Sequence, residues 1–184
     1  MLFRSQVALV SDAGTPAISD PGYRLVRLCR EQGLEVVAIP GPSAAVTALS
    51  ASGLPSDEFY FAGFLPAKKS ARKEKLEALR GIAATLVVYE APHRIAETLE
   101  DMETILGDRE VCVARELTKL HEECVFGKLS DVRPKVKELG EFVIVVRGRQ
   151  DAEPEAKPPL TREAVLKTLG VSRNELYDLF FKKP

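Results

Sequence analysis

Tryptophan is absent from this 184-residue sequence, and only three cysteines and two histidines occur in it. Without tryptophan, phenylalanine and leucine must carry any core. Cys29, Cys112 and Cys124 are odd in number and irregular in spacing. That excludes a disulfide framework and fits a reducing compartment. It also leaves no zinc pattern, since such sites need four well-spaced ligands. The HEEC run at residues 121–124 has a superficial metal look, but Cys124, in an alternating strand segment, reads better as a buried thiol, and no metal is expected. No Ser-His-Asp order and no H-E-x-x-H occur. An excess of either charge is missing too: 26 basic residues face 27 acidic ones, for a net charge of −1. A basic coat over the whole surface is excluded, although a local basic patch is not. No apolar run is long enough to span a membrane, and residues 1–6 lack the apolar stretch of a signal peptide. The expectation is a cytoplasmic protein without internal repeats.

What is present is an alternation of short apolar strands and helices, which predicts an α/β protein with a parallel sheet and crossover helices. Residues 7–10 and 34–39 read as strands. Between them Pro21 starts a helix with Asp20 as its N-cap; Leu25, Leu28 and Cys29 face inward and Gly33 ends it. Residues 44–51 read as a second helix. Further strands are expected at 59–64, 86–89, 111–114, 123–126 and 142–146, with a basic helix over 70–80. After a proline-started turn, Ile95, Leu99, Met102 and Leu106 recur at helical spacing. A helix over 129–139 would place Val132, Val136 and Leu139 on one face. A break near Ser56 divides residues 1–55 from an α/β domain over 56–149. Residues 150–159 are polar and proline-rich, as in a linker. Residues 160–184 read as two short helices, the second capped by Ser172 through a capping box.

Four strand ends carry chemistry. The DAGTPAISDPG run at residues 12–22 follows a strand, where open α/β sheets bind ligands. Gly14 permits close backbone approach, Thr15 offers a hydroxyl, and the prolines stiffen the loop. A tight turn that needs small residues is the plain alternative. GPSAA at 41–45 repeats the arrangement, with helix-start amides suited to a ligand carboxylate or hydroxyl; it is neither a dinucleotide fingerprint nor a phosphate loop. The turn at 89–94 gathers Tyr89, Glu90, His93 and Arg94, either around a nucleotide or as an ordinary surface cluster. Arg115, Glu116 and Lys119 end another strand, where a solvated salt-bridge cluster would contribute little. The basic excess over 68–75, including Lys68, Lys69 and Arg72, fits either RNA phosphates or a solvated helix face. The C-terminal helix pair admits nucleic-acid contact or simple docking.

Taken together, SDAGTP at 11–16, SDPG at 19–22, PGPS at 40–43, LSASGLP at 49–55, GFLP at 63–66, Tyr89-Glu90, PHR at 92–94 and ARELTK at 114–119 resemble the tetrapyrrole-methylase superfamily. The resemblance runs from Val7 to about Gly148, and the branch is the bacterial 16S ribosomal RNA cytidine 2′-O-methyltransferases. It implies two α/β domains with a small C-terminal helical pair, a homodimer, and S-adenosylmethionine in the cleft between domains. Thr15, Ile18, Ser43, Ala44, Tyr89, Arg115 and Glu116 match cofactor-binding positions. The partner implied is 16S rRNA in the small ribosomal subunit, with neither DNA nor membrane. The family's opening strand, its glycine-proline loop and two strand-helix units have no counterpart ahead of Val7. The first domain is therefore expected to be incomplete, with exposed sheet edges and weak cofactor binding.

The implied reaction is in-line attack of a ribose 2′-hydroxyl on a sulfonium methyl, chiefly a task of orientation. Glu90 and His93 are the candidate general bases, with Glu116 a third. Arg94, Lys68, Lys69 and Arg72 are the substrate contacts, and Arg115 could also meet phosphate. Two other readings stay open at this point: a methylase of the same superfamily acting on a porphyrinoid or a diphthamide intermediate, and a non-catalytic fragment.

Overall fold

The computed structural model describes residues 7–150 and Ser172. Residues 7–149 fall in one compact unit. The expected second capped helix and its partner lie outside the described residues.

Among the described residues five strands make one sheet: β1 (Phe59–Phe64), β2 (Thr85–Glu90), β3 (Glu110–Arg115), β4 (Glu123–Lys128) and β5 (Phe142–Val146). Their order is β1-β2-β5-β3-β4. β1 and β2 pair in parallel, whereas β5 runs antiparallel to both β2 and β3. β1, β2 and β3 therefore share a direction, and their C-terminal ends open on one edge of the sheet. The expected all-parallel sheet is corrected to a mixed one. Two connections explain it: the short link from β3 to β4 makes a hairpin, and a longer link over residues 129–141 returns β5 between β2 and β3. β5 is FVIVV, buried at every position, as a central strand covered on both faces must be.

Alternation sorts the core onto two faces. Leu86, Val88, Val111, Val113, Phe142, Ile144 and Val146 point to one side. There they meet α3 (Lys69–Leu79), α4 (Ile95–Leu106) and α5 (Leu129–Val132). Ile95, Leu99, Met102 and Leu106 are buried there, as their spacing predicts. Val87, Cys112, Ala114, Val143 and Val145 point to the other side, against Ala45, Ala48 and Leu49 of α2 (Ala44–Ala51). α2 thus belongs to the same packed body as the sheet, and that body runs without interruption through the proposed division at Ser56.

Several local expectations change. The helix expected over 129–139 stops at Val132 and tightens into a 3₁₀ turn at Arg133–Lys135. Pro134 has no N–H to continue an α-helical ladder, and Leu139 is left exposed. α1 (Tyr23–Glu31) starts at Gly22 without a side-chain cap rather than at Asp20. Leu25 and Leu28 are exposed on it. Residues 7–10 and 34–39 form no ladder with any described residue, so they are not strands, and Val7, Val10, Val37 and Ile39 stay exposed. Cys124 lies on the edge strand and is exposed; Cys112 is the buried thiol, pushed up to about 11 chiefly by burial.

Candidate active site

The two glycine-proline turns lie against each other. Thr15 Oγ1 donates to the Pro42 carbonyl at 3.0 Å. A Cβ on Gly41 would meet Thr15 Oγ1 at an ordinary 3.5 Å and one on Gly14 would meet Pro42 O at 3.8 Å, so space does not demand glycine here; at Gly14 the φ of 73° favours it. The loop is held in an unfavourable backbone state, since Ala17 and Ser19 take φ of 68° and 58°. Each costs about 1–2 kcal/mol, the kind of strain that collects at functional turns. The Ile18 N–H donates to Thr15 O at 3.4 Å and its side chain is exposed.

The second turn delivers the chain into α2. Ser43 is its N-cap and accepts from the Val46 N–H, while its carbonyl accepts from the Thr47 hydroxyl at 2.8 Å. The Ala45 N–H donates to the Tyr89 hydroxyl at 3.1 Å, which fastens the end of β2 to the first turn of α2. Ala44 is exposed, and its N–H finds no acceptor among the described residues. The Tyr89 ring is flanked edge-on by Phe61 at 5.0 Å and Phe64 at 5.6 Å. Ser19 reaches the same corner, 3.4 Å from where a Cβ on Gly63 would stand. Thr15, Ser43, Ala44 and Tyr89 therefore gather on the α2 side of the sheet, at the ends of its parallel strands.

Tyr89→Phe tests the clasp. It removes the hydroxyl that accepts from the Ala45 amide, a residue 5% exposed. The expected loss is about 1–3 kcal/mol, read as a lower urea midpoint at unchanged slope. A midpoint equal to the wild type would mean the clasp contributes nothing.

The remaining sequence candidates are placed differently. Glu90 is buried on the α4 side of the sheet. Its carboxylate accepts from the Thr98 hydroxyl at 2.7 Å and from the Ala91 N–H at 2.7 Å, and pairs with Arg94. This network fixes the 3₁₀ turn Pro92–Arg94, on which His93 is exposed. Arg94 also donates to Leu65 O at 3.3 Å, and its buried Nε has no partner among the described residues. Arg115 does not face the two turns. It pairs with Glu123 at 3.0 Å in a small hollow with Val113, Val136 and Phe142, on the opposite side of the sheet from Tyr89. Arg72, expected at an RNA surface, is buried: Nε donates to Asp101 at 2.8 Å and Nη2 to Glu97 at 3.0 Å, joining α3 to α4. Of the basic segment, Lys68 and Lys69 are the exposed pair at the start of α3.

Glu116 is a loop fastener. It takes φ of 49°, accepts from the Glu141 N–H at 2.9 Å and from Lys119 Nζ at 3.0 Å. The Glu141 amide first, and Lys119 after it, hold its carboxyl below the usual carboxylate range. A depressed acid stabilises the folded loop above its unfolded pKa of about 4.3. That contribution fades as pH falls through the still lower folded value. Amide exchange at Glu141 is expected to be level from pH 6 to 8 and to show lost protection below about pH 4. Protection unchanged at pH 3 would refute the coupling.

Solved structures share this α/β fold. The methyltransferase CobJ superposes with a TM-score of 0.55 over 76% of this chain and 64% of its own, at 20% identity. Diphthine synthase does so at 0.56, covering 73% and 57%, at 14% identity. At that identity the likeness is one of fold. Residues 2–133 match the tetrapyrrole (corrin/porphyrin) methylases, and the chain belongs to that family. Among curated relatives it is 50% identical to a ribosomal RNA small subunit methyltransferase I of Vibrio cholerae, over 92% of this chain and 60% of that protein. It is 45% identical to the one of Escherichia coli O157:H7, over 93% and 67%. The chain thus spans about 60% of the length of the Vibrio relative.

Proposed function

We propose that this chain carries part of an S-adenosylmethionine-dependent enzyme that methylates the ribose 2′-hydroxyl of a cytidine in 16S rRNA. The observation that supports it most is the union of three separate motifs through two hydrogen bonds, Thr15 to Pro42 and Ala45 to Tyr89. Identity of 45–50% to rRNA small subunit methyltransferases I gives the substrate class.

The donor set fits the cofactor. A helix-start amide at Ala44 suits an amino-acid carboxylate, Thr15 and Ser43 bring hydroxyls, and an aromatic corner stands beside them. S-adenosylmethionine, when bound, supplies a methyl group already activated by positive sulfur. The rest is orientation. Thr15, Ile18, Ser43, Ala44 and Tyr89 hold the cofactor side. His93, exposed at the tip of β2, takes the ribose proton. Glu90 keeps the turn under His93 in place, so its role is to position rather than to accept the proton. Lys68, Lys69 and Arg94 meet phosphates. Arg115 and Glu116 shape the neighbouring loop. The enzyme acts as a homodimer in the cytoplasm, on the small ribosomal subunit.

The test is transfer of labelled methyl groups from S-adenosylmethionine to 30S subunits that lack the modification. Label recovered as 2′-O-methylcytidine in 16S rRNA is expected. Label on a precorrin or a diphthamide precursor, with none on 30S subunits, would replace the reading with that of a small-molecule or protein methylase.

A further inference from the structure

We propose that Phe64 is a stacking face for a nucleobase, turned into the candidate site by a β-bulge at Gly63. The inference rests on the function proposed above, because nucleobases come with both its cofactor and its RNA.

In a regular strand, residues an odd number of places apart point to opposite faces. Phe61 and Phe64 are three apart, yet both rings pack on Tyr89. The register explains this. Phe61 pairs with Val87 and Gly63 with Val88, so Ala62 is an inserted residue. Gly63 has φ of 63°, a left-handed state that glycine adopts readily. A bulge of this kind re-aims the side chain that follows it. Without it, Phe64 would point toward α3 and α4, where Ala62 packs against the core.

The re-aimed ring is not used for core packing, since Phe64 is 55% exposed. Its edge-to-face contact with Tyr89 fixes the ring's attitude at 63° between planes. Tyr89 is itself fixed by the Ala45 amide. The result is an orientated, open aromatic surface at a strand end, within one side chain of the turns that hold Ser43 and Ala44. An ordered aromatic of this kind stacks with any nucleobase, because every base has a π-face. An apolar partner without a π-face would gain only from burial, so aromatic and aliphatic substitutions separate the two cases.

The experiment compares the wild-type chain with Phe64→Leu, Phe64→Ala and Phe64→Trp. Two probes are used, S-adenosylhomocysteine by calorimetry and modification-free 30S subunits by filter binding. Near-wild-type thermal melting of each variant controls for folding. Leucine and alanine are expected to weaken one probe about tenfold or more, with tryptophan restoring it. If the affected probe is S-adenosylhomocysteine, the stacked base is the cofactor's adenine; if it is the 30S subunit, the base belongs to RNA. Equal binding of both probes by all four chains overturns the inference and leaves the proposed function intact. A leucine variant that binds like wild type while alanine weakens also overturns it, since apolar bulk alone then suffices. Binding that follows this pattern without methyl transfer to 30S subunits overturns the function and leaves the stacking face standing. A wild-type chain that binds neither probe overturns both.

Discussion

Arg72→Ala is expected to destabilise the chain by about 3–5 kcal/mol, one of the largest losses available to a single substitution in it. The guanidinium is 1% exposed and the facing Asp101 carboxylate 3%. Removing the cation leaves that carboxylate buried, with Lys73 at 3.6 Å as its remaining cationic partner. An isolated buried charge costs far more than the intact pair contributes, so the deletion is severe even if the pair itself adds little net stability. Arg72→Lys should fall between, because it keeps the charge but cannot reach Asp101 and Glu97 together from one planar group. Urea unfolding followed by circular dichroism reads the effect. A midpoint close to wild type, accompanied by weaker binding to 30S subunits, would return Arg72 to the RNA surface.

Gly148→Ala is expected to cost at least about 3 kcal/mol, at the severe end of overpacking. A Cβ at this buried glycine would stand 1.8 Å from Ala83 O, 2.3 Å from its carbonyl carbon and 2.6 Å from Ala84 O. All three are main-chain atoms, so no rotamer change relieves the clash. The segment is also pinned by the Arg149 N–H, which donates to Ile82 O at 2.7 Å. For a chain of this size the loss corresponds to roughly 6–12 °C in Tm. Calorimetry giving a shift under about 2 °C would show that the crossing strands separate easily.

Most element positions from residue 44 onward could be read from the sequence, but the strands expected at 7–10 and 34–39 and the full helix over 129–139 did not form, and strand directions could not be read. The FVIVV run at 142–146 is visibly a buried strand, yet hydrophobicity carries no sign for antiparallel against parallel pairing. The sheet that α2 covers was illegible for a related reason: Ala45, Ala48 and Leu49 form an ordinary apolar helix face, and nothing local says what lies under it. Arg72 was more legible than its basic neighbours suggest. It is four residues before Leu76 and seven before Leu79, on the buried stripe of α3. Counting charge over the segment hid that periodicity. In the site, Thr15 and Ser43 were marked by glycine-proline turn chemistry and Tyr89 by its place near a strand end, whereas the side of the sheet on which Arg115 falls depends on the register of β3. Phe64 was missed, although an isolated glycine inside the FYFAGF run signals a bulge.

The place of β5 has a bearing on biosynthesis. It is the last of the five described strands in chain order and it occupies the middle of their sheet, between β2 and β3. β2 and β3 have no direct ladder with each other. A nascent chain that has emerged only as far as β4 therefore holds two strand pairs with no ladder between them. Long-range pairings of this kind slow folding and leave apolar edges open in the meantime. Completion of the sheet waits until residues 142–146 have cleared the exit tunnel, so a pause in translation there would prolong the interval in which the chain needs a chaperone.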